Sequence, residues 1–238
     1  MSAPLSLVVG NNPNECFAIV NPGIATASDN CPGATVNGVR SDAMALNAPY
    51  PVGTTTIAWT ATDAHGNMSA TAAMQTITVN DTQLPSVTPI SVTAALLWPP
   101  NHDLINVGLS GGNFSDNCPG STRQIMIFGN EDDETDLGDG NFSPDARNID
   151  IGLLRLRSER IGGGTGRVYL IVVKVTDAAG NSSVTCATVV VPRSNSKGDL
   201  TSVNNQAAAA RAYALSHNGS PPAGYFVIGD GAVIGPKQ

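Results

Sequence analysis

The stretch NEDDETDLGDGNFSPD, residues 130–145, carries Glu131, Asp132, Asp133, Glu134, Asp136, Asp139 and Asp145 and no basic residue. Seven of the nineteen acids of the chain therefore fall within fifteen positions. Carboxylates this close repel one another, and the repulsion is relieved either by an extended solvated loop or by a cation. Calcium suits the second remedy, because it takes roughly six to eight oxygens from carboxylates, carbonyls and water. The spacing is not that of an EF-hand: counting from Asp132, Leu137 stands where the tight turn needs Gly, and Ser143 where a bidentate Glu belongs. Gly138 and Gly140 still let the backbone wrap an ion, so the seven acids are candidate calcium ligands. The rival reading pairs the stretch with Arg147, Arg155, Arg157, Arg160 and Arg167, of which LLRLR places Arg155 and Arg157 on one strand face. Exposed pairs of that kind contribute only about 0–1 kcal/mol each and do not call for so dense an acid cluster.

The elements that must position this stretch are organised by an internal repeat. SDNCPG occurs at 28–33 and again at 115–120, and TDAHGN at 62–67 returns as TDAAGN at 176–181. From Asp29 to Asp63 is 34 residues and from Asp116 to Asp177 is 61, so the second copy holds 27 more, and the acidic stretch lies among them. It is an insertion on a scaffold, where loops acquire function. The signposts offer a second candidate calcium set, Asp29 with Asp63 and Asp116 with Asp177, at loop ends that a sandwich brings to one pole. The alternative is that these aspartates cap turns by accepting backbone N–H bonds.

Strand-like runs flank each TDAxGN, with alternation in Ile57, Trp59 and Ala61 and again in Ile77 and Val79. Gly and Pro total 41 residues, aromatics are 5% and charged residues 13%, a composition for short strands and turns. The predicted fold is all-β: two tandem immunoglobulin-like sandwiches over 1–82 and 83–193, with a C-terminal extension over 194–238. The residues NECFAIV, ATASDNCPGATV, YPVGTTTIAWTATDAHGN and ITVND, within about 5–81, resemble the hyalin repeat, an immunoglobulin-like module of extracellular and surface proteins. The second half, about 84–193, resembles a companion module of bacterial surface proteins marked by LWPPNHDLINV, SDNCPG, an acidic GLGDGD-type loop, LRSERIGGGTGRVY and VTDAAGN. The resemblance implies an adhesive or structural role outside the cell and no catalytic activity. Fuller hyalin repeats carry further cysteines near the TATD strand, and this copy has none there. Four cysteines allow three connectivities. With two cysteines in each module, the resemblance implies Cys16–Cys31 and Cys118–Cys186.

A net charge of −7 argues against nucleic acid and anionic membrane as partners. No apolar run approaches the roughly 18 residues of a membrane helix, so membrane insertion is not expected. MSAPLSLVVG lacks a basic n-region and makes a poor secretory signal, which leaves a signal already removed or a piece of a longer protein. No C-x-x-C pair points to zinc, and cysteines in an all-β chain of this kind read as disulfides and hence as export. In LWPPNHD, Trp98 is expected to pack over a sandwich end, the alternative being an exposed ring that contacts a sugar. His65, His102 and His217 form no recognisable nucleophile or zinc arrangement, and GGGTG at 162–166 lacks the ending of a phosphate cradle and reads as a hairpin turn. Residues 194–238 give an Ala-rich helix stopped at Asn218–Gly219, then strand-like pieces that either dock on their own domain or add to the edge of another molecule.

The sequence thus predicts a secreted or cell-surface, non-enzymatic structural or adhesion protein, stabilised by calcium and partnered by itself, as an oligomer or filament, or by surface glycans and proteins. The alternative is a carbohydrate-binding accessory region of a secreted enzyme.

Overall fold

A computed structural model describes residues 1–133 and 142–233. The chain forms two compact units, one of Met1–Gln83 with Asn117–Pro119, the other of Leu84–Asp116 with Gly120–Gln238. Both are immunoglobulin-like β-sandwiches, and the C-terminal extension belongs to the second unit.

The first unit contains β1 (Leu7–Gly10), β2 (Phe17–Ala18), β3 (Thr35–Arg40), β4 (Tyr50–Pro51), β5 (Gly53–Thr62) and β6 (Ala73–Asn80). One sheet runs β1-β6-β5-β3 with β1 parallel to β6, and β2 pairs with β4 opposite it. The period-2 pattern sends Ile57, Trp59, Ile77 and Val79 inward, where they meet Tyr50 and Ala18. Trp59 Nε1 donates to Gln75 Oε1 at 3.0 Å, and Gln75 Nε2 donates to the carbonyls of Leu5 and Pro22, so this buried polar group is satisfied. Gly38 lies under the indole: a Cβ there would stand 2.8 Å from Trp59 Cζ3.

The second unit contains β7 (Ser86–Val87), β8 (Leu104–Asn106), β9 (Phe114–Ser115), β10 (Thr122–Gly129), β11 (Ala146–Arg147), β12 (Arg155–Arg157), β13 (Gly166–Thr176), β14 (Ser182–Pro192), α1 (Lys197–Ser216) and β15 (Phe226–Val227). A sheet ordered β14-β13-β10-β15 faces one ordered β11-β12-β8, and Leu156, Ile127, Tyr169, Ile171, Val189 and Val191 fill the space between. The GGGTG segment joins β12 to β13 across the two sheets, so it is not the turn of a hairpin. Most of β13 is buried, because α1 covers the outer face: Val203 and Ala207 meet Val168 and Val190, and Ala214 meets Leu170, Val172 and Cys186. Ser196 caps α1 by accepting from the Asp199 N–H at 3.1 Å. After the helix, β15 pairs with Phe128 and Gly129 of β10, and Ile228 is buried. The extension therefore docks on its own unit.

The disulfide pairing differs from the expectation. Cys16 is bonded to Cys118, while Cys31 and Cys186 are free thiols. Asn117–Pro119 belongs to the first unit and brings Cys118 to a Cα–Cα distance of 5.0 Å from Cys16. Cys186 points into the layer beneath α1, where burial pushes its thiol up to about 11.

Candidate functional site

The described part of the acidic stretch does not lie in solvent. Asp145, just before β11, meets two arginines that are themselves fully buried: Arg157 of β12 and Arg167 of β13. Arg157 Nε donates to Asp145 Oδ1 at 3.0 Å, and Arg167 Nη1 donates to Asp145 Oδ2. Arg167 Nε donates to Glu131 Oε2 at 3.0 Å, and that oxygen also accepts from the Ile161 N–H at 2.9 Å. Arg157 further donates to the carbonyls of His102 and Pro144, both at 2.9 Å. Tyr169 accepts from Arg167 Nη1 at 3.2 Å and donates to the Arg157 carbonyl at 2.8 Å. Glu159, fully buried, lies 3.8–3.9 Å from both guanidinium groups, and its Oε2 is 2.8 Å from His102 Nδ1. Asp133 Oδ2 accepts from the N–H groups of Asp145 and Gly229, both at 3.0 Å.

The electrostatics follow from this enclosure. Burial pushes Asp145 up to about 6, against the pull of Arg167 and with a further push from Asp133. Burial alone would lower Arg167, but Tyr169, Asp145 and Glu131 hold it well above the usual arginine value. Tyr169 is raised well above the usual tyrosine value, first by burial. The cluster is a strut that ties β11, β12, β13 and the stretch before β11 together through charge-assisted hydrogen bonds.

Arginine partners were the rival expectation for this stretch, and they hold Glu131 and Asp145, although in the interior and not on the surface. Arg155 is part of a different contact, donating to the Leu104 carbonyl. Asp132 is half-buried, and Glu134, Asp136 and Asp139 lie outside the described residues. Asp133 Oδ1 is buried and accepts no hydrogen bond among the described residues. The two TDAxGN aspartates cap turns in matching fashion. Asp63 Oδ1 accepts from the N–H groups of His65 and Asn67, and Asp177 Oδ1 from those of Ala179 and Asn181. Hydrogen bonds from Asn67 hold Asp63 below the usual carboxylate range.

Asp29 is exposed and Asp63 half-buried, and both line one open hollow of the first unit. In the second unit, Asp116 and Asp177 bring carboxylate oxygens within 4.8 Å of each other, and both oxygens of Asp116 are shielded from solvent without a hydrogen-bond partner among the described residues. Trp98 is 42% exposed, because its neighbour Leu97 takes the inward position, so it does not pack over the sandwich end as expected. A buried cation that sequence reasoning missed is Arg40: it donates to Asp42 and to the carbonyls of Ala45, Ala48 and Pro49, and stacks 3.7 Å over Tyr50. Its position as the last inward residue of an alternating strand, Thr35–Arg40, was the available signal.

No protein-family model matches the chain, and no curated protein matches it. Among solved structures, human protocadherin-24 EC1-2 is similar at 12% identity with a TM-score of 0.28, covering 80% of this chain and 96% of that one. The human desmocollin-1 ectodomain is 11% identical with a TM-score of 0.26, and Drosophila N-cadherin EC1-4 is 11% identical with a TM-score of 0.24. They cover 79% and 80% of this chain, which spans 38% and 49% of their lengths. Likeness at this level carries no argument about the site or its chemistry.

Proposed function

We propose that the chain is a non-enzymatic structural or adhesion module of a secreted or cell-surface protein, built from a hyalin-repeat-like sandwich and a companion surface-protein sandwich, stabilised by calcium and self-associating. The Cys16–Cys118 disulfide is the observation that carries this reading, since such bonds persist in oxidising compartments outside the cytosol. The buried ionic strut supports a mechanical role: its charges hold strands to one another. No described helix is long and apolar enough to cross a membrane. For calcium, the support is Asp116, whose buried oxygens lie near those of Asp177 with no hydrogen-bond donor among the described residues, and Asp133 Oδ1, which has no partner among them either. For self-association by strand addition into an oligomer or filament, the support is the short edge strand β1, flanked by Leu5 at 87% exposure and carrying Val8 at 70%. Sedimentation velocity in millimolar calcium and in excess chelator tests it. Larger species in calcium alone are expected, and an unchanged monomer in both removes calcium-driven assembly.

The exposed Trp98 favours a second reading, a carbohydrate-binding accessory region. Quenching of its fluorescence by oligosaccharides, lost in Trp98→Ala, is the outcome that reading requires.

A further inference from the structure

The two SDNCPG loops are built alike and end up differently. Each ends in a glycine of positive φ, Gly33 at 103° and Gly120 at 105°, where an added Cβ would touch the alanine of the partner turn, Ala64 at 3.4 Å and Ala178 at 3.3 Å. Two residues on, each strand opens with a threonine opposite the threonine that leads into the TDAxGN turn, Thr35 against Thr62 and Thr122 against Thr176. The loops are therefore equivalent in position. In the second copy, Cys118 is buried and bonded to Cys16, and Asn117 Nδ2 donates to the Glu15 carbonyl at 3.0 Å. In the first copy, all six residues 28–33 are exposed, and Cys31 is a free thiol.

The geometry points to residues 28–33 as a docking and disulfide-forming site for a further module of the kind built by residues 1–83. That module presents a cysteine at the place of Cys16 and a backbone carbonyl at the place of Glu15, for Cys31 and Asn30 to take as Cys118 and Asn117 take theirs. Repetition of this clip would join successive modules covalently, each SDNCPG cysteine reaching back to the module before it. The oxidant is a small disulfide such as oxidised glutathione. It first caps the incoming cysteine, releasing one small thiol. The Cys31 thiolate then attacks the capped sulfur, expels the second small thiol and leaves one protein S–S bond, so both protein thiols are oxidised and the small disulfide is reduced. The inference rests on the extracellular reading, because glutathione would keep Cys31 reduced in a cytosol.

The full chain preceded by a second copy of residues 1–83, secreted through an oxidising compartment and mapped by mass spectrometry without reduction, tests this. The expected map joins Cys16 of the added copy to Cys31 of the full chain, keeps the Cys16–Cys118 bond within the full chain, and leaves Cys31 of the added copy free. An alkylatable Cys31 in the full chain beside an intact Cys16–Cys118 bond overturns the inference and leaves the extracellular reading standing; loss of the Cys16–Cys118 bond as well removes that reading too. If the added copy does not fold, the unmodified chain is incubated in glutathione buffer with a decapeptide of residues 11–20 and with a scrambled version. Preferential capture of the native decapeptide on Cys31 supports the site, and equal capture of the two sinks it.

Discussion

At the scale of single residues, the buried carboxylate Asp145 decides most. Its two arginine partners are fully enclosed, so Asp145→Ala takes both acceptor oxygens away from buried guanidinium donors and is expected to cost about 3–5 kcal/mol, read by urea denaturation. An unchanged midpoint would show that water reaches the cluster. Asp145 is also expected to titrate near 6, which carboxyl NMR measures directly. The folded value lies above the ordinary 3.8, so the folded state holds this proton longer than the unfolded chain does. The contribution of Asp145 to stability is thus fullest below about 3.8 and declines as pH rises through about 6. In the first unit, Gly38→Ala drives a methyl into the Trp59 ring and is expected to cost about 1–3 kcal/mol, with a shift in tryptophan emission. The acids and arginines of the second unit were visible in the sequence as one acidic block followed by basic residues. Their burial was not, because an exposed loop and an interior strut have the same composition.

At the scale of elements, strand periodicity gave β5 and β6 with their inward residues, since a sheet with one wet face leaves its alternation in the sequence. The run VYLIVV in β13 breaks that alternation, and α1 explains it: both faces of the strand are covered, so both must be apolar. Ending the chain at residue 195 removes α1 and β15 and exposes Leu170, Val172 and Val190. The expected result is strong binding of a hydrophobic dye and aggregation, while a soluble, cooperatively folding product would contradict a structural role for the extension. The helix could be read from its Ala-rich composition and its Asn-Gly stop, but not its docking face, because an apolar stripe of valine and small alanines specifies no partner.

At the scale of the whole molecule, the Cys16–Cys118 bond closes a loop of 102 residues, so Cys16→Ser is expected to lower stability by about 4–5 kcal/mol in the chain-entropy model. Calorimetry with and without reductant reads this, and reductant should leave the Cys16→Ser variant unaffected. The all-β class, the repeat of two sandwiches, turn capping as one of two roles for the signpost aspartates, and the acidic insertion were all legible along the chain. These depend on local rules, namely side-chain alternation, turn chemistry and charge density over a few residues, which hold wherever the segment ends up. Which cysteines bond, which acids meet arginines, that Leu97 and not Trp98 turns inward, and that the tail docks in cis were settled by the folded chain alone. Each of those depends on which distant segments become neighbours, and pairing by proximity leaves no periodic mark along a chain.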